Sequence, residues 1–134
     1  MADLIFVDTG AWFASVVPWD ANHVRAAEWF RRNRKPLVTT DYVIDETLTL
    51  LRVREETRRA LGLGSRFFTG GVAIVHYLTP EEISAAWKVF RQYTDKDWSF
   101  TDCTSKVVIE RLKCVSAVSF DEHFRQFGTV VVEP

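Results

Sequence analysis

The chain has 134 residues, the length of one folded domain, and we expect a single domain over residues 1–134. Its composition, 47% hydrophobic and 26% charged, is that of a globular protein and argues against a disordered chain. The net charge of −1 means that the molecule as a whole exerts no long-range attraction on nucleic acid. No apolar run reaches the roughly 18 residues of a membrane span, so we expect no membrane partner.

Short apolar runs alternate with helical patterns along the chain. The predicted strands are residues 4–7, 36–39, 72–75, 115–118 and 129–132. The predicted helices cover about residues 11–16, 21–32, 41–53, 55–68, 80–93, 101–113 and 120–126, and Thr79-Pro80-Glu81-Glu82 is a strong helix start. Short strands that are apolar throughout are typical of a parallel sheet buried on both faces. We therefore predict an α/β fold with a mainly parallel central sheet.

The two cysteines and the N-terminus indicate a cytoplasmic protein. Residues 1–7 lack the basic segment that begins a secretory signal peptide. Cys103 and Cys114 lie on one predicted helix, about 16 Å apart, whereas a disulfide requires Cα atoms within about 7 Å. We therefore expect reduced thiols, as in the cytoplasm.

Four acidic residues occupy positions that such a fold would bring together. Asp8 follows the first predicted strand, Asp121 lies just after the fourth, and Glu46 and Asp102 lie in the early turns of helices. Ligands of open α/β sheets bind beyond the carboxyl ends of the strands, so we expect the four side chains to converge there. Each acid also has a purely structural explanation. Ser99 and Asp102 match a capping box, Asp8 and Asp121 are helix-start acids, and Glu46 lies on a helix edge that solvent can reach.

Four carboxylates without a cysteine–histidine cluster form a site of hard oxygen ligands, which suits Mg²⁺ or Mn²⁺ rather than zinc. Such an ion can lower the pKa of an attacking water and neutralise a phosphate, as phosphodiester hydrolysis requires. The hydroxyls of Thr9 and Ser99 are candidates to orient an acid or that water. Asp95, Asp97 and His123 are further candidates, but solvent exposure is the expected state of each.

The ordered set of motifs resembles the PIN domain family, and more closely its VapC-type toxins. The segments that carry the resemblance are Val7-Asp8-Thr9, residues 41–51 with Glu46, residues 95–103 with Ser99 and Asp102, and Ser119-Phe120-Asp121 with Phe124. The resemblance implies a PIN-like three-layer α/β/α sandwich and a metal-dependent endoribonuclease. It also implies a dimer that a small, DNA-binding antitoxin inhibits.

Within this resemblance, Asp8, Glu46, Asp102 and Asp121 match the acidic quartet that holds the metal and carries catalysis. Gly10 departs from the family, many of whose members have another small polar residue at that position.

Three rival interpretations remain open. A phosphatase with an aspartate nucleophile would usually have a second Asp where this chain has Gly10. A receiver-like domain needs a phosphoacceptor Asp after a middle strand, but Val75-His76-Tyr77 contains none. A PIN-like module that binds RNA or protein without activity is disfavoured by the complete quartet.

Aromatic and basic residues predict a surface for partners. The chain has five Trp and ten Phe, some of which are available for a subunit interface. The segment 55–68, with Arg66-Phe67-Phe68, is the predicted surface for a second copy or an antitoxin. Several arginines could form a basic ridge for RNA or an acidic partner, or simply a solvated helix face: Arg52, Arg54, Arg58, Arg59 and Arg66.

Overall fold

The computed structural model describes residues 3–128 and 130–134 of the chain. In these residues strands and helices alternate as the sequence predicted. The strands are β1 (Ile5–Val7), β2 (Leu37–Thr40), β3 (Ile74–His76), β4 (Ser116–Val118) and β5 (Val131–Glu133). The helices are α1 (Thr9–Val16), α2 (His23–Arg32), α3 (Asp41–Val53), α4 (Thr57–Phe68), α5 (Pro80–Gln92), α6 (Phe100–Leu112) and α7 (Glu122–Gln126). The predicted last strand begins at Thr129, which lies outside the described residues.

The five strands form one sheet in the order β3-β2-β1-β4-β5, and every pair is parallel. Every residue of β1 and β4 is buried, and successive strand residues point to opposite faces, so helices cover both faces of the sheet. The predicted α/β fold is therefore confirmed, with a sheet that is parallel throughout. After β1 the chain adds β2 and β3 on one side of it, and it later adds β4 and β5 on the other side. The crevice between β1 and β4 is thus the point where the strand order reverses, the usual position of a ligand site.

Aromatic side chains fill much of the core on both sides of the sheet. Trp12 is fully buried, stacks on Phe30 with ring centroids 5.3 Å apart, and meets Phe67 edge-on at 5.0 Å. Its Nε1–H donates to Thr39 Oγ1 at 3.3 Å, so the indole has a partner for its polar atom. The burial of Phe67 shows that the prediction of an exposed Arg66-Phe67-Phe68 surface was wrong for Phe67, since the inner face of α4 packs on the core. Phe68 is 61% exposed.

Both cysteines are free thiols, as predicted, and both are buried. Cys103 lies on α6, but Cys114 follows the C-cap Lys113, so the prediction that both lie on one helix was wrong. In the described part of the chain, every helix is too short or too polar to cross a bilayer.

Phe124 is the residue through which α7 packs on the sheet. It is fully buried, with its ring 6.2 Å from that of Phe6 in β1 and 4.8 Å from that of Phe127. The position of α7 therefore depends on a contact with the centre of β1.

We expect Phe124→Ala to lower the free energy of unfolding by about 3–5 kcal/mol, because it removes a fully buried ring and leaves a cavity. Phe68→Ala is the matched control. It removes the same ring from an exposed position and should change stability by less than about 0.5 kcal/mol. Urea unfolding of the two variants checks this, and equal losses would contradict the described packing.

Candidate active site

An open cleft of about 680 Å³ lies beyond the carboxyl ends of β1 and β4. The four acids predicted to converge all line it: Asp8, Glu46, Asp102 and Asp121. They come from four separate segments of the chain, so only the tertiary fold brings them together. The cleft is also lined by Asp97 and Glu122, which makes it strongly acidic.

Three of the four acids lie at the start of a helix. Asp8 is the N-cap of α1, Asp121 is the N-cap of α7, and Asp102 lies in the first turn of α6. Glu46 lies on α3, half-buried, with its side chain at the cleft. The positive ends of α1, α6 and α7 therefore all face this region, and they stabilise negative charge there.

Asp8 is the most enclosed of the four acids, with 5% of its surface exposed. Its Oδ2 accepts a hydrogen bond from Ser119 Oγ at 3.1 Å. Burial raises the pKa of Asp8 from 3.8 to about 7, and the negative charges of Asp102 and Glu46 add to this increase. Hydrogen bonds from the Thr9 backbone and the Ser119 hydroxyl act in the opposite direction and lower the pKa.

Asp102 has a structural role and a place in the cleft at the same time. Its Oδ2 accepts from the backbone N–H of Ser99 at 3.0 Å, and the Ser99 hydroxyl accepts from the backbone N–H of Asp102 at 3.0 Å. The predicted capping box is therefore confirmed. Burial raises the pKa of Asp102, and the nearby charge of Asp121 adds to the increase. Hydrogen bonds from Ser99 and His123 lower it.

His123 lies in the cleft rather than in solvent, which corrects the expectation of an exposed side chain. Its Nδ1 is 3.1 Å from Asp102 Oδ2 and 3.3 Å from Asp121 Oδ1. Asp121 Oδ1 also accepts from the backbone N–H of His123 at 2.9 Å, which orients the start of α7. The sequence contained the relevant signal, because a residue two positions after an N-cap lies in the first helical turn, beside the cap.

The hydrogen bond between Ser119 and Asp8 was not predicted from the sequence. Ser119 directly follows β4, and the N-cap of the next helix, α7, is Asp121. The Ser119 hydroxyl accepts from the Asp121 backbone N–H at 3.0 Å and donates to Asp8. Its place at the end of β4, next to the β1 end that carries Asp8, was the signal available in the sequence.

The hydroxyls of Thr9 and Ser99 do not serve the acids in the way that we expected. Thr9 Oγ1 donates to the carbonyl of Val43 at 3.5 Å and accepts from Thr47 Oγ1 at 3.3 Å, so it ties α1 to α3. The Ser99 hydroxyl is used by the capping box. Both residues line the cleft, but within the described residues their hydroxyls bond to backbone groups or to Thr47 rather than to a carboxylate.

Asp97 lines the cleft, whereas Asp95 is an exposed residue beside Lys96, with 3.8 Å between their charged atoms. Gly10, the residue that departs from the family, also lines the cleft. Apart from Gly10 itself, its two chain neighbours and the adjacent α1 backbone, no described atom lies within 4 Å of the position that a Cβ would occupy there, so a small side chain would fit.

The donor atoms fit a divalent cation. Asp102, Asp121 and His123 each offer a ligand atom, and these atoms lie within 4.8 Å of one another. Carboxylate oxygens are the preferred ligands of Mg²⁺ and Mn²⁺. Among the described residues that line the cleft, none is a lysine or arginine that could balance the acids. A cation would therefore relieve the repulsion between them.

Comparison with known proteins agrees with this geometry. A family model for the PIN domain matches residues 5–130. The 23S rRNA-specific endonuclease VapC20 of Mycobacterium tuberculosis is 30% identical over 131 residues, which cover 98% of this chain and 99% of that protein. The crystal structure of VapC20, a sarcin-ricin loop cleaving toxin, matches with a TM-score of 0.90 over 97% of this chain and 99% of that chain.

Two further proteins extend the comparison. A VapC ribonuclease of Archaeoglobus fulgidus is 33% identical over 128 residues, which cover 88% of this chain and 77% of that protein. The structure of VapBC2 from Rickettsia felis, bound to a DNA fragment from its promoter, matches with a TM-score of 0.69 over 97% of each chain. At 8% identity the latter shows a similarity of fold alone.

The raised pKa of Asp8 predicts how the stability of the metal-free protein depends on pH. Between about pH 4 and pH 7 the folded state keeps a proton on Asp8 that the unfolded chain has released, so stability falls as the pH rises. A pKa change from 3.8 to about 7 corresponds to a loss of about 4 kcal/mol over that range. Asp8→Asn should remove this loss, and the variant should be more stable than the wild type at neutral pH.

Urea unfolding in EDTA at several pH values between about 4 and 8 measures this dependence. Asp95→Asn, which neutralises an exposed acid, should keep the wild-type slope. An Asp8→Asn variant with the same slope as the wild type would show that Asp8 does not carry a raised pKa.

Proposed function

Since the chain belongs to the PIN domain family, with VapC-type ribonucleases among its relatives as the sequence predicted, we propose that it is a VapC-type toxin. It would cleave RNA by hydrolysis of phosphodiester bonds, as a single domain with a divalent ion in the acidic cleft. The observation that carries this proposal is the convergence of Asp8, Glu46, Asp102 and Asp121 on one cleft. The three rival interpretations, a phosphatase with an aspartate nucleophile, a receiver-like domain and an inactive binding module, lose support because the relatives are ribonucleases.

The ion is proposed to be Mg²⁺ or Mn²⁺, held by the four acids. When bound, it would supply the positive charge that admits a phosphate to this anionic cleft, and it would lower the pKa of an attacking water. The protein's part is to hold the carboxylates in fixed directions. Ser119 orients Asp8, and the capping bonds orient Asp102 and Asp121, so little reorganisation is needed when the substrate arrives.

Two features of the cleft support an RNA substrate. The positive ends of α1, α6 and α7 favour phosphate groups near the acids. At the rim, the Arg25 guanidinium lies 5.3 Å from the centre of the Phe120 ring, and Phe120 lines the cleft. An aromatic ring with an exposed arginine beside it is a surface on which an unpaired base can stack. Because VapC20 is a 23S rRNA-specific endonuclease, we propose a ribosomal RNA stem-loop as the substrate.

The partners are proposed to be a second copy of the chain and a small antitoxin protein. An apolar groove of about 410 Å³ between α3 and α4 is lined by Leu48, Ala60 and Leu61, with Arg52 at its edge. Leu61 and Val53 are strongly exposed there, and this groove overlaps the segment 55–68 that the sequence predicted as a partner surface. The groove suits an amphipathic segment of an antitoxin. Exposed Trp87 and Phe90 on α5 form a separate aromatic surface, which suits a homodimer.

Of the predicted basic residues, Arg59 is engaged within the chain. It bonds to Glu56 and to the carbonyl of Val16, and it stacks on Trp19. A basic ridge for RNA therefore remains a proposal for the other arginines. The buried free thiols of Cys103 and Cys114 support a cytoplasmic location, where thiols stay reduced.

We expect cleavage of a sarcin-ricin loop RNA in Mg²⁺ or Mn²⁺ and no cleavage in EDTA. Asp8→Asn, Glu46→Gln and Asp102→Asn should each lower the rate at least about 100-fold, because each removes a charge that the metal site needs. Gel analysis of end-labelled RNA measures the rates, and circular dichroism checks that each variant is folded.

Asp95→Asn is the matched control, since it neutralises an exposed acid outside the cleft lining and should cleave at the wild-type rate. Cleavage that continues undiminished in EDTA would overturn the metal-dependent mechanism.

Light scattering tests the proposed assembly. We expect the mass of two chains, and we expect Trp87→Ser with Phe90→Ser to shift the protein toward the mass of one chain, because they remove apolar surface from α5. Leu61→Ser on the α4 groove should leave the mass unchanged and weaken capture of a co-expressed antitoxin. A single-chain mass that no co-expressed neighbouring gene product changes would contradict both partners.

A further inference from the structure

His123 is held against the acids by the first turn of α7. Its backbone N–H bonds to Asp121 Oδ1, and its ring nitrogen Nδ1 faces one carboxylate oxygen of Asp102 and one of Asp121. The side chain is 28% exposed, so the ring reaches from the rim into the cleft. An imidazole in this position is a third donor beside two carboxylates.

The spacing of these donor atoms matches that of ligands around one ion. In an octahedral site with bonds of about 2.1 Å, neighbouring ligand atoms lie about 3.0 Å apart. Nδ1 lies 3.1 Å from Asp102 Oδ2 and 3.3 Å from Asp121 Oδ1. The three side chains therefore need little movement to occupy adjacent positions on one ion.

The same nitrogen could instead carry a proton and donate it to the two carboxylates. Charge-assisted N–H···O bonds are about 2.7–2.9 Å long, and both observed distances exceed this. A single N–H also cannot point along a straight line to two acceptors at once. Both distances are longer than such a bond and close to the spacing of ligands around one ion, and a bound ion would take the place of the proton on Nδ1.

We propose that Nδ1 of His123 is a direct ligand of the ion held by Asp102 and Asp121, and that it gives the site a preference for Mn²⁺ over Mg²⁺. The reason for the preference is chemical. Both ions bind carboxylate oxygens, but Mn²⁺ as a transition-metal ion also binds imidazole nitrogen, whereas Mg²⁺ binds almost only oxygen. The inference rests on the proposed function, because it takes the cleft to bind a divalent ion.

Pulsed electron paramagnetic resonance of bound Mn²⁺ tests the ligand directly, because a coordinated nitrogen modulates the spin echo. We expect a nitrogen coupling in the wild type and its loss in His123→Gln, which keeps a polar side chain of similar reach. His23→Gln is the matched control. The ring of His23 bonds to the Ala14 carbonyl at 2.7 Å and does not line the cleft, so the coupling should persist. If His123→Gln fails to fold, ¹⁵N-labelled histidine in the wild type should change the coupling in the same experiment.

Calorimetric titration with Mn²⁺ alone and Mg²⁺ alone tests the preference. In His123→Gln the ratio of the two affinities should move toward Mg²⁺ by at least about tenfold, the size typical of changes at a metal site. His23→Gln should keep the wild-type ratio.

The outcomes separate this inference from the proposed function. Bound Mn²⁺ with an oxygen-only spectrum, or a nitrogen coupling that survives in folded His123→Gln, would overturn the inference and leave the proposed ribonuclease intact. An unchanged affinity ratio in His123→Gln would overturn the preference for Mn²⁺. A wild type that binds neither ion and cleaves RNA in EDTA would overturn the metal-dependent function and the inference together.

Discussion

The parallel pairing of β1 with β4 is the interaction on which the site depends. Val7 and Val118 are aligned at the ends of the two strands, so Asp8 and Ser119 leave the sheet side by side. The Ser119 hydroxyl then bonds to Asp8 across a separation of 111 residues and to the backbone of Asp121. One side chain thus connects the first acid of the cleft with the segment that carries the last. Packing of α7 on β1 keeps that segment in place.

The convergence of several acids on one cleft costs free energy, and the fold offsets part of the cost. Three helices direct their positive ends at the cleft, and backbone N–H groups bond to the carboxylates of Asp102 and Asp121. Asp8 is buried, and burial raises its pKa so that its neutral form persists to higher pH. A divalent ion would relieve the repulsion that remains between the acids. The same charges would therefore set both the stability of the metal-free protein and its affinity for the ion.

Helix capping and the candidate site use the same residues. Asp102 caps α6 with Ser99, and Asp121 caps α7 while it faces His123. A cap holds its carboxylate in one rotamer, because the backbone N–H groups to which it bonds are fixed by the helix. The structural and the catalytic explanations of these acids are therefore compatible, and the capping bonds direct the carboxylates that are proposed to hold the metal.

Local sequence patterns were sufficient to predict most helices and strands and to identify the four acids that line the cleft. Apolar runs of β1 and β4 marked a buried parallel sheet, and Thr79 with Glu82 forms the capping box that the helix-start pattern indicated. Both features depend on neighbours within a few residues. The position of Asp8 directly after the first strand is also a local feature, and it predicted a site beyond the strand ends.

Only the tertiary structure decided which groups touch. The Ser119–Asp8 bond depends on the strand order, and a strand order is set by long-range pairing that leaves no local pattern. The inward direction of His123 depends on how α7 packs through Phe124, and the burial of Phe67 depends on which face of α4 meets the core. The sequence by itself thus determined the helices, the strands and the acidic residues of this protein. Packing over long separations decided their partners, because burial and the charges around each group exist only once the chain has folded.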